Sequence, residues 1–567
     1  MPSSFAGRPG SRPASGRSYI ALACACCLAL ASAVAAAQDR PSEADMFGAP
    51  AAPSGSEPPA AGAPAPVPET PAAAAAPDTL ETPGVGAPIP EASPAVPLAA
   101  APPTISPNVP DSRDDAILGG ESRPMFDGQF PPDDPLSIGG QLYLRAQTRS
   151  FEDVSLGDSV FNLPTLLDVF LDARPNDRVR GYVLGRMTYD PTVSGNRPQL
   201  SATEAATGSA DLTSLFGTPR TGPQVRLDQM WLRFDVDHKL FVSAGKQHVR
   251  WGVGHVWSPS DYLHVQHRNP LEVFDARTGT TMLKLHLPIE SKAWNFYAYG
   301  VAEGPEGVPT VAQLGAAVRA ELVFDITELS FGAFAQKGSD PKFAADVSTG
   351  IGDFDLFFEV ALRNRNDVDR VRYAPNASLP DPPERESWQT DQEYMQAQVL
   401  EVAEARFPRY RAKGYRPQAV AGLSYSFKYH ENDVFTISAE YFYNPLGYSN
   451  SNVYPGLLAP RTDPLRDPAT YFYLGQHYAA LVLVAPSPFS LDLHSFTLST
   501  LANLSDRSFL TQLSYSLVLL THLRFEAYVA AHYGRPSGEF RLRVEFEGVQ
   551  LLPAGLFDTG IALRLSI

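Results

Sequence analysis

The residues with the clearest potential for chemistry are five histidines that lie within forty residues of one another, near a serine and an aspartate. A Ser-His-acid hydrolase needs its three groups within hydrogen-bonding reach, and two histidines three positions apart can ligate a metal. The chain lacks His-Glu-x-x-His, Gly-x-Ser-x-Gly and phosphate-binding glycine motifs. We therefore predict no enzyme, no metal and no cofactor, and keep an outer-membrane lipid hydrolase as the weaker alternative. The residues are His248, His255, His264, His267 and His286, with Ser258 and Asp261.

Charged side chains form a second pattern, because they recur at alternate positions opposite apolar ones. Arg145 and Arg149, for example, alternate with Leu144 and Ala146. Period two with one apolar face predicts strands. An Arg or Lys facing mid-bilayer lipid costs about 2–4 kcal/mol, so the charged face of a membrane barrel must be the inside. The predicted pore-lining residues are Arg145, Arg149, Arg180, Arg186, Arg233, Lys246, Arg250, Lys284, Arg319, Arg363, Lys428 and Arg524, with Arg564 as a further basic candidate. The acidic candidates are Asp235, Glu321, Glu359, Glu440 and Glu526.

Basic residues outnumber acidic ones on this predicted inner face. A basic bore attracts anions and repels cations, which predicts a preference for anionic solutes. The alternative is that these charges pair across strands and brace the wall, as Arg319 and Glu321 are placed to do. The sequence leaves both interpretations open.

The elements that would position these residues are strands. Alternation predicts about eighteen of them, with sixteen to eighteen as the range. Their lengths, about ten residues or more, suit tilted strands that cross a bilayer. The predicted ranges are 136–151, 162–175, 178–189, 224–237, 240–251, 280–288, 292–301, 311–325, 328–337, 342–352, 354–364, 416–430, 433–445, 474–486, 493–504, 508–520, 523–533 and 556–567.

The connections between these strands alternate in length. One alternate set is short throughout, and the other contains every long segment: 190–223, 252–279, 365–415, 446–473 and 534–555. Tight periplasmic turns and long external loops are typical of outer-membrane barrels. An even strand count also places both chain ends on the periplasmic side. The fold class predicted is therefore all-β, a transmembrane antiparallel β-barrel.

The end of the chain carries a further signal. Phe557, Ile561, Leu563, Leu565 and Ile567 alternate with polar or small residues up to the last position. This strand is expected to be held on both edges, although an edge strand of a soluble sheet is the alternative. The spacing of Asp558, Gly560, Leu563 and Leu565 is similar to the C-terminal insertion signal of bacterial outer-membrane barrels, with Ile567 in place of the usual terminal aromatic residue.

The chain thus resembles the large Gram-negative outer-membrane β-barrels of the porin and alginate-export class over about residues 130–567. The segment GKQHVRWGVGHVW (245–257) is similar to strand ends of several porin-like families. The resemblance implies a water-filled lumen and diffusion or export of a polar solute. It also implies that residues 558–567 engage the barrel-assembly machinery.

Two segments precede the predicted barrel. Residues 1–37 combine three Arg, an apolar run and Ala35–Ala37, which predicts a secretory signal peptide. Residues 38–129 are predicted to be a disordered, acidic tether rich in Pro and Ala, with 19 Pro between positions 41 and 110. This tether is a passive spacer or touches peptidoglycan. Removal of the signal peptide changes the net charge from −17 to −20, which argues against nucleic acid as a partner.

Two loop segments are candidates to narrow the pore. Residues 390–406 predict a helix, with a capping box formed by Thr390 and Glu393 and an apolar face that includes Met395 and Val399. The helix either folds into the lumen as a constriction or caps it from outside. The segment 251–277 is rich in aromatic residues and histidine, which suits stacking on sugars or an interfacial aromatic belt.

These patterns together predict a porin-like channel of the outer membrane, surrounded by lipid, for small polar solutes, including anionic ones such as acidic sugars. The alternative function is a non-conducting scaffold or surface-interaction protein.

Overall fold

The computed structural model describes residues 135–567, except for 156, 158, 193–221, 265, 273–276, 303–312, 380–390, 430–433, 460, 462, 464, 468 and 547–548. The predicted signal peptide (1–37) and nearly all that follows up to the barrel, including the tether (38–129), lie outside the described residues. Within the described part, no helix is long and apolar enough to cross a membrane.

Eighteen long strands dominate the described residues. In chain order they are β1 (Leu136–Phe151), β2 (Thr165–Asn176), β3 (Val179–Tyr189), β4 (Gln224–Val236), β5 (Leu240–Gln247), β6 (Thr280–Ile289), β7 (Trp294–Val301), β8 (Gly315–Phe324), β9 (Thr327–Gln336), β10 (Lys342–Ile351), β11 (Phe354–Asn364), β12 (Tyr415–Lys428), β13 (Val434–Tyr443), β14 (His477–Pro486), β15 (His494–Asn503), β16 (Ser508–Leu520), β17 (Leu523–Gly534) and β18 (Gly555–Ser566).

These strands form one closed antiparallel barrel. Each strand pairs with its neighbours in sequence, and β1 pairs with both β2 and β18. Gln141 lies opposite Ser566 across the closing seam. The predicted strand count and the predicted double-edged pairing of the last strand are confirmed.

Smaller elements occur in the connections. A three-residue strand, Val160–Asn162, pairs with β1. Two short antiparallel pairs join Arg370–Val371 to Arg409–Tyr410 and Val544–Phe546 to Val549–Leu552. The α-helices are α1 (Asp391–Arg406) and α2 (Tyr454–Leu458). The predicted helix over 390–406 is therefore present as α1.

The two ends of the barrel differ in the length of their connections. At one end, here named the short-turn end, no connection exceeds seven residues, and every longer connection lies at the other, the long-loop end. The alternation of short and long connections predicted from the sequence is confirmed.

Large apolar side chains cover the outside of the barrel. Val225, Met230, Val318, Phe331 and Ile561 are each more than half exposed. The residues next to them on the same strands point inward. Such a continuous apolar exterior is stable in lipid and not in water. A closed sheet also satisfies every strand's backbone hydrogen bonds within the protein, as a bilayer requires. The protein is a transmembrane β-barrel of the outer-membrane type.

β5 is four residues shorter than expected, because the chain leaves the wall after Gln247. Gly245 has a φ of 128°, and a Cβ atom there would lie 2.1 Å from the carbonyl oxygen of Met230. Gly252 also has a positive φ, of 96°. These two glycines allow the chain to turn away from the wall, so that Arg250 belongs to a connection and not to a strand.

Candidate functional site

The inward faces of β1 to β4 are dominated by charge. Arg186 on β3 makes two hydrogen bonds to Asp168 on β2, at 2.7 and 2.8 Å, and both side chains are nearly fully buried. Arg180 on β3 makes two similar bonds to Asp172, at 2.9 and 2.8 Å. The inward charged residues of these four strands are Arg145, Arg149, Asp168, Asp172, Arg180, Arg186, Arg226, Asp228, Arg233 and Asp235.

Most predicted pore-lining arginines lie on the inner wall and form ion pairs. The pairs are Arg145 with Glu272 (3.5 Å), Arg149 with Asp558 (3.0 Å), Arg319 with Asp346 (3.0 Å), Arg363 with Asp467, and Arg564 with Glu526 (2.5 Å), in addition to the pairs of Arg180 and Arg186. Arg319 also pairs with Glu321, as expected, at 2.9 Å. The bore is therefore a lattice of opposite charges on this side.

The inner wall holds more carboxylates than the sequence analysis assigned to it. The additional inward acids are Asp168, Asp172, Asp228, Asp346 and Asp558. On β2 the inward face also carries buried Leu166 and Phe170. In the sequence, an apolar pair of this kind resembles a lipid-facing stripe. The pattern therefore fails to indicate that Asp168 and Asp172, at the same alternate positions, face inward. The expected excess of thirteen basic over five acidic residues is correspondingly too large.

Four other predicted residues lie elsewhere on the wall. Lys246 lies on the outer face of β5, opposite Met230, which is 51% exposed. Lys284 faces inward, 5.0 Å from the ring centre of Tyr297. Lys428 and Arg524 share the inward faces of β12 and β17 near the short-turn end, where Lys428 is exposed. Of the predicted set on strands, Lys246 alone faces away from the lumen.

The described residues of the connection between β5 and β6 (248–264, 266–272 and 277–279) fold inside the barrel. Two inward glutamates fix it by accepting hydrogen bonds from its backbone. Glu359 on β11 accepts from the N–H groups of Val253, Gly254 and Ser260, at 2.8–3.2 Å. Glu440 on β13 accepts from those of His255, Val256 and Trp257, at 2.8–3.1 Å. We name residues 248–279 the inserted segment.

Aromatic packing completes the attachment of the inserted segment. Trp257 is fully buried, its indole N–H donates to the carbonyl of Phe472, and its ring stacks on Phe442 of β13 at 5.6 Å. Trp251 packs edge-on against Tyr299 of β7 at 5.7 Å. The segment thus connects β13 and β7 of the wall from inside the barrel, and it narrows the lumen. The aromatic residues near 251–262 lie inside the barrel, so they do not form an interfacial belt.

A small cleft of about 10 Å³, roughly the space of one water molecule, lies between the inserted segment and Tyr473. Its lining includes three arginines and two histidines but one carboxylate, Asp261. Burial opposes ionisation of Asp261, but His264 and Arg277 outweigh it and hold the pKa of this carboxyl well below its usual range. The basic residues of the cleft are Arg250, Arg268, Arg277, His255 and His267.

The histidines do not assemble a hydrolytic triad. The Ser258 hydroxyl donates to the carbonyl oxygen of Gly254, while His264 Nδ1 contacts Asp261 at 3.0 Å. His267 stacks on Tyr473 with ring centres 4.0 Å apart, and burial lowers its pKa to about 4. Within the described part of the chain, no group of three potential ligands is arranged to hold a metal.

The inward faces of β13 to β16 differ from the charged side. Among the described residues they carry a single charged side chain, Glu440, which is engaged by the inserted segment. Val482, Val484, Leu501 and Leu510 point inward and are at most 4% exposed. They belong to a cluster that also contains Val256 and Trp257 of the inserted segment.

At the long-loop end, buried carboxyl groups join three connections. Glu539 accepts hydrogen bonds from the Tyr478 hydroxyl at 2.6 Å and the Asn503 amide at 2.8 Å. Asp506 accepts from the Tyr454 hydroxyl at 2.8 Å. Burial, with the nearby Asp506 charge as the next cause, raises the pKa of Glu539 to about 8. We name Asn503, Asp506 and Glu539, with Tyr454 and Tyr478, the mouth cluster.

The predicted constriction helix is associated with the loops of this end. Phe407, directly after α1, is buried with Val371, Tyr448 and Tyr454. Thr390 lies outside the described residues, and the structure gives no side-chain description for Glu393, Met395 or Val399. The packing of the end of α1 therefore favours a cap over the loops. The inserted segment, in contrast, contacts the inner wall within the lumen.

Comparisons with known proteins concern the fold alone. No family profile and no curated protein matches the chain. Among solved structures, the chain is similar to Acinetobacter baumannii OccAB1 (11% identity, 76% of this chain and 96% of that chain, TM-score 0.43). It is also similar to Pseudomonas aeruginosa OccK9 (8%, 76% and 98%, 0.43) and to a BenF-like porin from Pseudomonas fluorescens Pf-5 (9%, 76% and 98%, 0.43). The assignment as a barrel rests on the strand pairing of this chain itself.

Proposed function

We propose that the protein is an outer-membrane channel through which small polar solutes diffuse, with a preference for anions. The observation that carries the proposal is a closed, lipid-compatible barrel whose lumen holds a basic cleft formed largely by the inserted segment. A narrow, charged passage in a low-dielectric wall focuses the field on passing solutes and selects them by sign.

The cleft, and not the whole bore, is the proposed source of anion selectivity. Arg145, Arg149, Arg180 and Arg186 pair with carboxylates, so they contribute little net field. In the cleft, Arg250, Arg268 and Arg277 share one lining carboxylate, Asp261, which pairs with Arg277 at 2.9 Å. Acidic sugars and other small carboxylates are the solute class proposed, because guanidinium groups bind oxyanions through paired N–H donors.

Reversal potential in a salt gradient across a planar bilayer tests this function. The wild-type pore is expected to favour chloride over potassium. Replacing Arg250 and Arg268 with Gln is expected to reduce that preference. Replacing a wall pair as a unit, Arg186→Gln with Asp168→Asn, leaves the net charge of the bore unchanged and should leave the preference unchanged. A cation-selective wild-type pore would contradict the proposal.

A non-conducting scaffold is the second candidate, favoured by the extent to which the inserted segment and the mouth cluster fill the lumen at the long-loop end. The same bilayer experiment separates the two candidates, because a scaffold would give no discrete conductance steps and no swelling of sugar-loaded liposomes.

We also propose that both chain ends lie in the periplasm, with the tether close to peptidoglycan and the last strand presented to the barrel-assembly machinery. The even strand count and the short turns support this orientation. Tags near residues 205, 380 or 460 are expected to be accessible on intact cells, and tags near 237 or 431 are not. The opposite labelling pattern would invert the barrel.

A further inference from the structure

Arg233 on the inner face of β4 is placed in an unfavourable electrostatic position. It lies directly opposite Arg180 of β3 in the strand register, and like charges in that arrangement destabilise a strand pair. Arg180 is compensated by its two hydrogen bonds to Asp172. Within the described part of the chain, Arg233 makes no hydrogen bond and no ion pair. Its side chain contacts the ring of Trp231, with the guanidinium carbon 5.2 Å from the ring centre.

The neighbouring carboxylates are already engaged by other cations. Asp172 is shared by Arg174 and Arg180. Asp235, two positions after Arg233, contacts Arg178 at 3.4 Å and accepts from the backbone N–H of His238 at 2.8 Å. The inner wall at the short-turn end of β3 and β4 therefore has a positive charge that the wall itself does not neutralise.

A second cation extends this basic region along the wall. Arg233 pairs in register with Ser243 of β5, and Ser243 pairs with Lys284 of β6. Lys284 faces the lumen with its ammonium 5.0 Å from the ring centre of Tyr297. Arg180, Arg233 and Lys284 thus lie at one level on four consecutive strands, with the small Ser243 between the last two.

The aromatic residues orient the cation. Phe170, Tyr182 and Trp231 stack in sequence across β2, β3 and β4, with ring centres 5.9 and 5.5 Å apart. A guanidinium that rests its carbon on a ring keeps its N–H donors at the edge of its plane available. Those donors have the geometry that binds two oxygens of one oxyanion.

We propose that Arg233, flanked by Arg180 and Lys284, is an oxyanion-binding subsite on the inner wall for the carboxylate, phosphate or sulfate group of a passing solute. It deepens the proposed channel function, on which it rests. The subsite is built from strand residues of the wall, whereas the basic cleft is built largely from the inserted segment. A solute would therefore meet two separate anion-binding sites, the subsite on the wall and the basic cleft.

The first test measures block of chloride current by inorganic phosphate in planar bilayers. Phosphate is expected to reduce the wild-type current with a saturable concentration dependence. Arg233→Gln should raise the half-blocking concentration about tenfold, as expected for loss of a charge-assisted pair of hydrogen bonds. Lys428→Gln is the matched control, since it removes one inward positive charge near the same end of the barrel. An unchanged value in Arg233→Gln, or an equal rise in Lys428→Gln, overturns the subsite.

The second test does not require a conducting pore. Trp231 adjoins the proposed subsite, so phosphate binding to the detergent-solubilised protein should change tryptophan fluorescence, and Trp231→Phe should abolish the change. Absence of a phosphate-dependent signal in the wild type, or its persistence in Arg233→Gln, contradicts the subsite. A protein that gives this signal without conducting would retain the subsite and lose the channel function.

Discussion

The walls formed by β1–β4 and by β13–β16 line the same lumen but are stabilised by different interactions. The first wall consists of ion pairs between neighbouring strands, such as Arg186 with Asp168. The second is nearly uncharged and packs Val482, Leu501 and Leu510 in a hydrophobic cluster with the inserted segment. An inward-facing residue in a barrel is therefore not necessarily a residue that contacts solute. The charged wall keeps its polarity by pairing, and the uncharged wall serves as the support for the segment that narrows the pore.

The largest expected effect concerns the two glutamates that hold the inserted segment, Glu440 on the uncharged wall and Glu359 on β11. Glu359→Ala combined with Glu440→Ala removes the acceptors of six backbone N–H groups of the inserted segment. The segment should leave its position, and single-channel conductance should rise several-fold. Glu321→Ala is the control, because this carboxylate pairs with Arg319, which retains Asp346. Equal conductance in the double variant and the wild type would show that the segment does not limit the pore.

The charged wall should respond most strongly to the loss of one partner. Arg186→Gln leaves Asp168 buried without its cation and is expected to lower the free energy of unfolding by about 3–5 kcal/mol. Replacing both residues, as Arg186→Gln with Asp168→Asn, should recover most of that loss, since position 168 is then neutral and Asp228, which lies 3.9 Å from Arg186, keeps its contact with His248. Denaturant unfolding of the refolded barrel in lipid vesicles measures both. Additive losses in the double variant would mean that the two side chains are not coupled.

The uncharged wall should respond to loss of volume instead. Leu510 is 1% exposed, and Leu510→Ala is expected to cost about 2–4 kcal/mol by leaving a cavity. Leu513→Ala, on the lipid-facing side of the same strand and 43% exposed, is the control, and it should cost less. A loss at position 510 no greater than that at 513 would remove the case for a packed inner wall.

The smallest expected effect concerns pH and the mouth cluster. Because the pKa of Glu539 is raised to about 8, the folded protein binds more protons than the unfolded chain above the ordinary glutamate pKa. Stability should therefore fall as pH rises from about 4.5 through 8. Glu539→Gln keeps the neutral form and should flatten this dependence. Unfolding midpoints between pH 5 and 9 provide the measurement, and identical pH profiles would rule out Glu539 as the responsible group.

The architecture was predictable from the sequence because lipid imposes alternation on every strand, independently of the partners that each strand meets. Interior detail was less predictable. The inward acids Asp168 and Asp172 follow the phase of buried Leu166 and Phe170, so the apolar signal of β2 indicates the wrong face. The position of the inserted segment depends on Glu359 and Glu440, which lie more than 95 residues from the backbone groups that they bind. No local pattern contains such long-range contacts.

The seam between β1 and β18 also determines the order in which the barrel can form. The backbone N–H and carbonyl of Gly140 exchange hydrogen bonds with those of Ile567, at 3.0 and 2.9 Å. The first strand therefore keeps an unsatisfied edge until the last strand is synthesised, more than 400 residues later. An open edge of this kind invites pairing with other chains, and contacts so distant in sequence form slowly. A chain arrested before β18 would have two unpaired strand edges. Protection of β1 during translocation is therefore as much a requirement for this protein as the stability of the final barrel.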